Sequence, residues 1–283
     1  MSPTATLPQR LAELERYLAA REALLVAFSG GVDSTFLAAV AQRALGARLL
    51  TVTVEMAAVP ARVLARARSL ATTLGLRHRV IRLDAFAVEG FGDNGNERCY
   101  HCKRAILQAL LALANAEGIP NLADGGNADD LHDYRPGQRA VTELGVLSPL
   151  RELDWTKAEI RAASRLLQLP TADLPSAACL ASRIPYGDPI TPRKLEQIDQ
   201  VENWLETQGV AVCRARHHGS VVRLELGEDD LARLTDTTFR HELAETARRA
   251  GFRYAAVDVE PYRTGRLNPA GSCETRPQSR GGL

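Results

Sequence analysis

The chain has 283 residues, 45% of them apolar, which is enough to bury one large core or two moderate ones. Its 35 basic residues stand against 34 acidic ones, a net charge of +1, so no overall bias draws it to nucleic acid or membrane. No apolar run reaches the ~20 residues that span a bilayer, no signal-peptide core opens the chain, and an odd set of cysteines (Cys99, Cys102, Cys179, Cys213, Cys273) argues against a disulfide framework. The expectation is a cytosolic protein.

In chain order, Leu7, Leu11, Leu14 and Leu18 carry the spacing of an amphipathic helix. Leu24 to Ala27 is a short apolar run, readable as a buried parallel strand, that breaks at Ser29-Gly30-Gly31 and resumes as a helix through Phe36, Leu37, Val40 and Ala41. Paired glycines let successive backbone N–H groups turn inward as an anion nest, and the helix adds its dipole end. Ser29 and Ser34 can supply hydroxyl donors. No Gly-Lys-Ser/Thr follows, so no lysine of the Walker type is placed to reach the far phosphates, and the loop suits a departing pyrophosphate. Asp33, beside the nest, repels a phosphate unless a divalent cation lies between them, so its expected partner is Mg²⁺; a plain helix cap is the alternative.

Ser29-Gly30-Gly31-Val32-Asp33-Ser34 resembles the SGGxDS signature of PP-loop ATP pyrophosphatases, which cleave ATP to AMP and pyrophosphate while adenylating a substrate. Downstream, strands at 47–54 and 77–83, a helix at 60–74, a glycine-rich loop or lid at 84–99, a helix from Cys102 to Glu117 and a strand at 121–124 alternate as in a doubly wound parallel α/β sheet. The last strand delivers Gly125-Gly126-Asn127-Ala128-Asp129-Asp130 to the carboxyl edge, where ligands of such sheets bind. Asn127 and Asp129 resemble a second nucleotide-binding element of the family, with Gly126 where a threonine is usual.

A helix at 156–167, capped by Thr156, precedes a proline-rich stretch from Leu169 to Pro192 that reads as a functional loop. A helix from Thr191 or Pro192 to Trp204, strands at 210–216 and 221–226, helical periodicity from Asp229 to Ala250 and a strand at 254–259 make a smaller α+β unit. The domain reading is 1–168 for the nucleotide domain, 169–191 for the linker loop, 192–268 for a substrate- and metal-binding and assembly domain, and 269–283 for a disordered tail.

Cys99 and Cys102, with Cys179, are the second constellation. A redox dithiol, zinc and a [4Fe–4S] cluster with one open iron are all compatible with three thiolates, as is a structural pair of buried thiols. Cys179 with Arg183 nearby suits a thiol of lowered pKa acting as nucleophile. If Arg216 pairs with Val221 across the turn, Arg214 faces Arg223 and Val212 faces Glu225. Alternation then puts Arg214, Arg216, Arg223 and Glu225 on one face, suited to an anion, and Ala211, Cys213, Ala215, Val222, Leu224 and Leu226 on the other. Cys213 therefore reads as core, Cys273 as an incidental tail thiol.

Pro175 to Gly187 with the phosphate loop and the downstream arginines closely resembles the LarE family of PP-loop sulfur transferases, to about Asn268. The resemblance implies activation of pyridinium-3,5-biscarboxylic acid mononucleotide as an acyl adenylate, followed by sulfur insertion toward the nickel-pincer nucleotide of lactate racemase. It implies substrate binding by Arg214 and Arg216, with Arg183 and Arg263 grouped with them, a divalent metal on Glu202 and Glu225, and hexamers acting with other cofactor-biosynthesis proteins. In single-cysteine members the cysteine gives up its own sulfur; the presence of Cys99 and Cys102 beside Cys179 resembles the members whose three cysteines hold [4Fe–4S]. The alternatives are a tRNA thiolase or amidotransferase, disfavoured by the lack of a basic excess or glutaminase-like segment, and a nucleotide-sensing module.

Overall fold

The computed structural model describes residues 6–132, 136–175 and 179–263. Cys273 and the tail at 269–283 lie outside them, as do the residues from Thr264 that follow Arg263.

Helix α1 (Leu7–Ala19) opens with a capping box at Thr6 and buries Leu11, Leu14 and Leu18, as their spacing predicts. Strand β1 (Leu24–Ala27) leads into α2 (Val32–Leu45); β2 (Leu49–Glu55), α3 (Ala61–Thr73) and β3 (His78–Arg82) follow. Next come α4 (Arg98–Ala116), β4 (Asn121–Ala123), and the short helices α5 (Gly137–Glu143) and α6 (Pro149–Glu152), which periodicity over so few residues does not reveal. Helix α7 (Lys157–Leu166) starts on the expected Thr156 cap, whose side chain accepts from the Glu159 N–H.

The four strands form one parallel sheet in the order β3-β2-β1-β4. Both faces are covered: Leu24 and Val26 enter one core with α1, α2 and α7, while Leu25, Leu50 and Val52 enter another beneath α4. Strand order reverses between β1 and β4, so the loops after these two strands face each other across the switch-point crevice.

Helix α8 (Pro192–Thr207), the hairpin β5 (Cys213–His218) and β6 (Val221–Leu226), α9 (Glu228–Leu231), α10 (Thr237–Arg249) and β7 (Tyr254–Val257) complete the described fold. The helical stretch expected from Asp229 is broken at Asp236, whose carboxylate caps α10. The expected hairpin register is corrected: His218 pairs with Val221, Arg216 with Arg223 and Arg214 with Glu225. A two-residue turn at Gly219-Ser220, with Gly219 at φ +63°, replaces the longer one. The slip is two residues, so the faces stand within β5 and β6, where Ala215, Val222, Leu224 and Leu226 are fully buried; Ala211, expected on the same face, lies exposed before β5. Cys213 packs against this second core, which also recruits Met56, Ala58, Ala85 and Phe91 from the first half of the chain.

Candidate active site

The phosphate loop is built by a backbone that only glycine fits. Gly30 sits at φ +69°, and a Cβ there would lie 3.0 Å from the Cα of Ala67 in α3. Gly31 takes the N-cap position of α2, so Asp33 is not the cap. The hydroxyls turn inward: Ser34 Oγ accepts from the Ser29 N–H at 3.2 Å, Ser29 Oγ accepts from the Gly31 N–H at 3.3 Å, and the two hydroxyl oxygens are 3.0 Å apart. An entering phosphate would exchange these long, weak bonds for charge-assisted ones.

Across the crevice, Gly125 packs so closely on α2 that a Cβ would stand 3.1 Å from the Ser34 nitrogen. The loop after β4 is pinned from below by Asp124, which accepts from Lys103 Nζ at 2.9 Å, Ser148 Oγ at 2.8 Å and the Gly126 N–H at 3.1 Å. Burial opposes the Asp124 charge, but Lys103 and these donors outweigh it and hold its pKa below the usual carboxylate range. Buried Asn127 accepts the Asp129 N–H through Oδ1 and gives its own N–H to Asp130 Oδ2, both at 3.0 Å.

Sequence reasoning missed one residue here. Lys157, first in α7, donates through Nζ to Asp33 Oδ1 at 2.7 Å and Oδ2 at 2.6 Å, and its N–H donates to Asp129 Oδ2 at 2.8 Å. A cation thus stands at the loop although no Walker lysine follows it. The available signal was the helix start at Thr156, which aims the next side chain toward the preceding loop.

Cys99 and Cys102 lie in the first two turns of α4, which begins earlier than periodicity indicates, and their i, i+3 spacing puts both thiols on one face. Cys179 caps a 3-10 turn, Leu180–Arg183, and is tied to the sheet because the Leu180 N–H donates to the Ala58 carbonyl at 2.9 Å, just past β2. The three thiols influence one another: burial pushes Cys102 up to about 12, and Cys179 and Cys99 add to the rise. The expectation of a lowered Cys179 pKa is corrected, since desolvation outweighs the Ala181 N–H, Arg98 and Arg183. Cys179 nevertheless remains exposed, and accessible surface rather than local crowding decides whether an acyl group can reach it.

Glu202 reads as an exposed helix residue by pattern, yet it is only 1% exposed. It accepts from Arg183 Nε at 2.7 Å and Nη2 at 2.9 Å, from the Ala215 N–H at 3.0 Å, and from Arg62 of α3 at 3.2 Å. Despite its burial, these partners hold its pKa down, Arg183 foremost. Glu225, fully buried, accepts from Arg216 Nε at 3.0 Å and Nη2 at 2.6 Å. Its Oε1 faces Arg223 Nη2 at 3.1 Å without hydrogen-bond alignment. Arg214 stacks on the Tyr262 ring at 4.5 Å, and burial with neighbouring Arg183 lowers its pKa. Exposed Arg263 follows Tyr262, whose N–H is fixed on the Leu226 carbonyl at 2.8 Å. Much of the positive face thus answers carboxylates of its own chain. Among the described residues, no group of three or more His, Cys, Asp or Glu is arranged to hold a metal ion.

The asparagine synthase family matches residues 12–90, which contain the phosphate loop and the two helices that pack on it. The chain is 32% identical over 93% of its length, and 95% of the other, to the pyridinium-3,5-bisthiocarboxylic acid mononucleotide synthase of Lactiplantibacillus plantarum. The chain belongs to the LarE family. A protein of Synechocystis sp. without an assigned function is 36% identical over 93% of this chain and 98% of its own. One component of the glutamine-hydrolyzing GMP synthase of Methanopyrus kandleri is 27% identical over 73% of this chain and 69% of its own. As a LarE-family protein with a PP-loop ATP pyrophosphatase domain, the chain is an enzyme of the sulfurtransferase type that uses ATP with Mg²⁺ for sulfur transfer. Among the described residues, no helix is long and apolar enough to cross a membrane.

Proposed function

We propose that this enzyme adenylates a carboxylate of pyridinium-3,5-biscarboxylic acid mononucleotide and replaces a carboxylate oxygen with sulfur, toward the nickel-pincer nucleotide. The observation that carries the reading is the bond between the Leu180 N–H and the Ala58 carbonyl, which tethers the Cys179 turn to the sheet edge that also bears the phosphate loop. In the first step the substrate carboxylate attacks the α-phosphorus, and pyrophosphate leaves into Ser29, Gly30, Gly31 and Ser34, with Asp33 holding Mg²⁺ and Asn127 and Asp129 on the nucleotide side. Lys157 then exchanges Asp33 for the departing phosphate charge. In the second step sulfur attacks the acyl carbon and AMP leaves.

Arg183, Arg214, Arg216 and Arg263 are the substrate-binding arginines in this reading, and Glu202 and Glu225 the carboxylates toward a divalent metal, supported by the unaligned buried Glu225 Oε1. The thiol donor set of Cys99, Cys102 and Cys179, two of them on one face of α4 and all three near enough to influence one another electrostatically, supports a [4Fe–4S] cluster. Such a cluster, when bound, supplies an open iron able to hold sulfide. The second reading has Cys179 itself as donor, forming a thioester and becoming dehydroalanine as the thiocarboxylate leaves; its surface exposure favours this. The domain boundaries at 168, 191 and 268 and a cytoplasmic setting belong to the proposal from the sequence pattern, and a hexameric assembly from the family resemblance.

Pyrophosphate release that requires the pyridinium dicarboxylate nucleotide, and is indifferent to added tRNA, is the expected result; release driven by tRNA, or none, would overturn the reading. Anaerobic reconstitution with iron and sulfide analysis of wild type and Cys99→Ala separates the sulfur sources. Undiminished sulfur transfer by cluster-free protein assigns the donor to Cys179.

A further inference from the structure

Arg98 is only 5% exposed, and a buried guanidinium is costly without an anion. Among the described residues no carboxylate lies within ion-pair distance of it. Its Nη1 donates to Asn94 Oδ1 and, at 3.1 Å, to the Ala181 carbonyl; its Nη2 approaches Cys99 Sγ at 3.6 Å; its plane faces the Tyr186 ring at 5.0 Å. Asn94 precedes α4, Cys99 lies in α4, and Ala181 and Tyr186 follow Cys179, so one side chain bridges the segments that carry the thiols.

Asn94 anchors the bridge. Fully buried and held at φ +57°, it donates through Nδ2 to the carbonyls of Pro185 at 2.7 Å and Asp188 at 2.8 Å. Its own carbonyl accepts the Gly187 N–H at 3.1 Å. The Asn94 side chain thereby presents its oxygen to Arg98 while its nitrogen holds the 185–188 loop. Burial disfavours the Arg98 charge, and Cys99 and Cys179 favour it.

We infer that Arg98 is the fixed counter-cation of the three-cysteine pocket, positioned by Asn94 to offset the negative charge of an iron–sulfur group held by Cys99, Cys102 and Cys179. The inference rests on the cluster reading above. Three thiolates and a sulfide-bearing cluster carry net negative charge, and a buried cation with no carboxylate beside it among the described residues lies against them. A neighbouring positive charge also favours the more negative, reduced form of such a group.

The test compares full-length wild type, Arg98→Lys and Arg98→Met after anaerobic reconstitution with iron and sulfide. Iron content, visible charge-transfer absorption and midpoint potential are read, with thermal unfolding as the check on folding. The expected result is that Arg98→Met shifts the potential more negative and weakens iron retention about tenfold or more, the range for supporting residues around a metal site. Arg98→Lys, which keeps the charge, retains most of both. Should Arg98→Met fail to fold, Arg98→Gln, which is neutral but retains a polar N–H donor, is read the same way. An unchanged potential and iron content in the neutral variant overturns the inference, as does Arg98→Lys failing equally. Wild type that takes up no iron–sulfur group overturns the cluster reading and this inference together, leaving Cys179 as donor.

Discussion

Lys157 Nζ stands 2.7 and 2.6 Å from the two carboxylate oxygens of Asp33, 124 positions apart in sequence, so a cation delivered by α7 meets the phosphate loop. The pair is part-exposed, and its contribution to stability is within about 1 kcal/mol. Lys157→Met is expected to lower kcat/KM for pyrophosphate release about 100-fold, as removal of one preorganised charge stabiliser does, with the melting temperature nearly unchanged. A large drop in melting temperature with activity retained would make the pair structural instead.

Gly30→Ala tests the loop's backbone. The left-handed conformation costs a Cβ-bearing residue about 1–2 kcal/mol, and the 3.0 Å approach to Ala67 adds a clash against helix backbone. Gly75→Ala is the matched control, since Gly75 ends α3 at φ +61° with nothing within 4 Å of the added carbon. Denaturant midpoints should fall further for Gly30→Ala than for Gly75→Ala, and only the former should lose ATP protection against unfolding.

Glu202 couples acidity to stability. Its folded-state pKa is depressed by Arg183 despite burial, so its contribution is fully present above the ordinary glutamate range and is lost as pH falls through the depressed value. Glu202→Gln should flatten the acid limb of the stability curve and cost about 3–5 kcal/mol near neutrality, because Arg183 is left buried without its counter-charge. A parallel acid limb in wild type and variant would assign that pH dependence elsewhere.

Cys213 is pushed up to about 12, chiefly by burial and then by Glu202. At pH 8 its thiolate fraction is on the order of 10⁻⁴, so alkylation in the native protein should run roughly a thousandfold slower than in the unfolded chain. Mass-spectrometric mapping after timed iodoacetamide treatment reads this directly. Cys213→Ala should leave pyrophosphate release intact, since the side chain packs in the second core.

The local grammar of the chain was legible because it acts over a few residues. A strand, a glycine bend and a helix at 24–45, the Thr156 cap and the alternation of β5 and β6 all follow from backbone sterics and side-chain period. The hairpin's faces survived a wrong register because a two-residue slip preserves parity. Glu202 was misread because a polar residue in a helix declares its face only when something packs on it, and its partners, Arg62 on α3 and Arg183 in the linker, come from other elements. For the same reason neither Lys157 at the phosphate loop nor Arg98 between the cysteines was visible.

Sequence alone determined the sheet's alternating plan and the chemical type of each cluster: a phosphate nest, thiols and an arginine face. Only the tertiary structure decided which charges answer which, joining Lys157 to Asp33 and both Arg183 and Arg62 to Glu202. The reason is physical. Propensity and period act between near neighbours along the chain, whereas burying a charge commits it to whatever partner packing brings within a few ångströms, however distant in sequence.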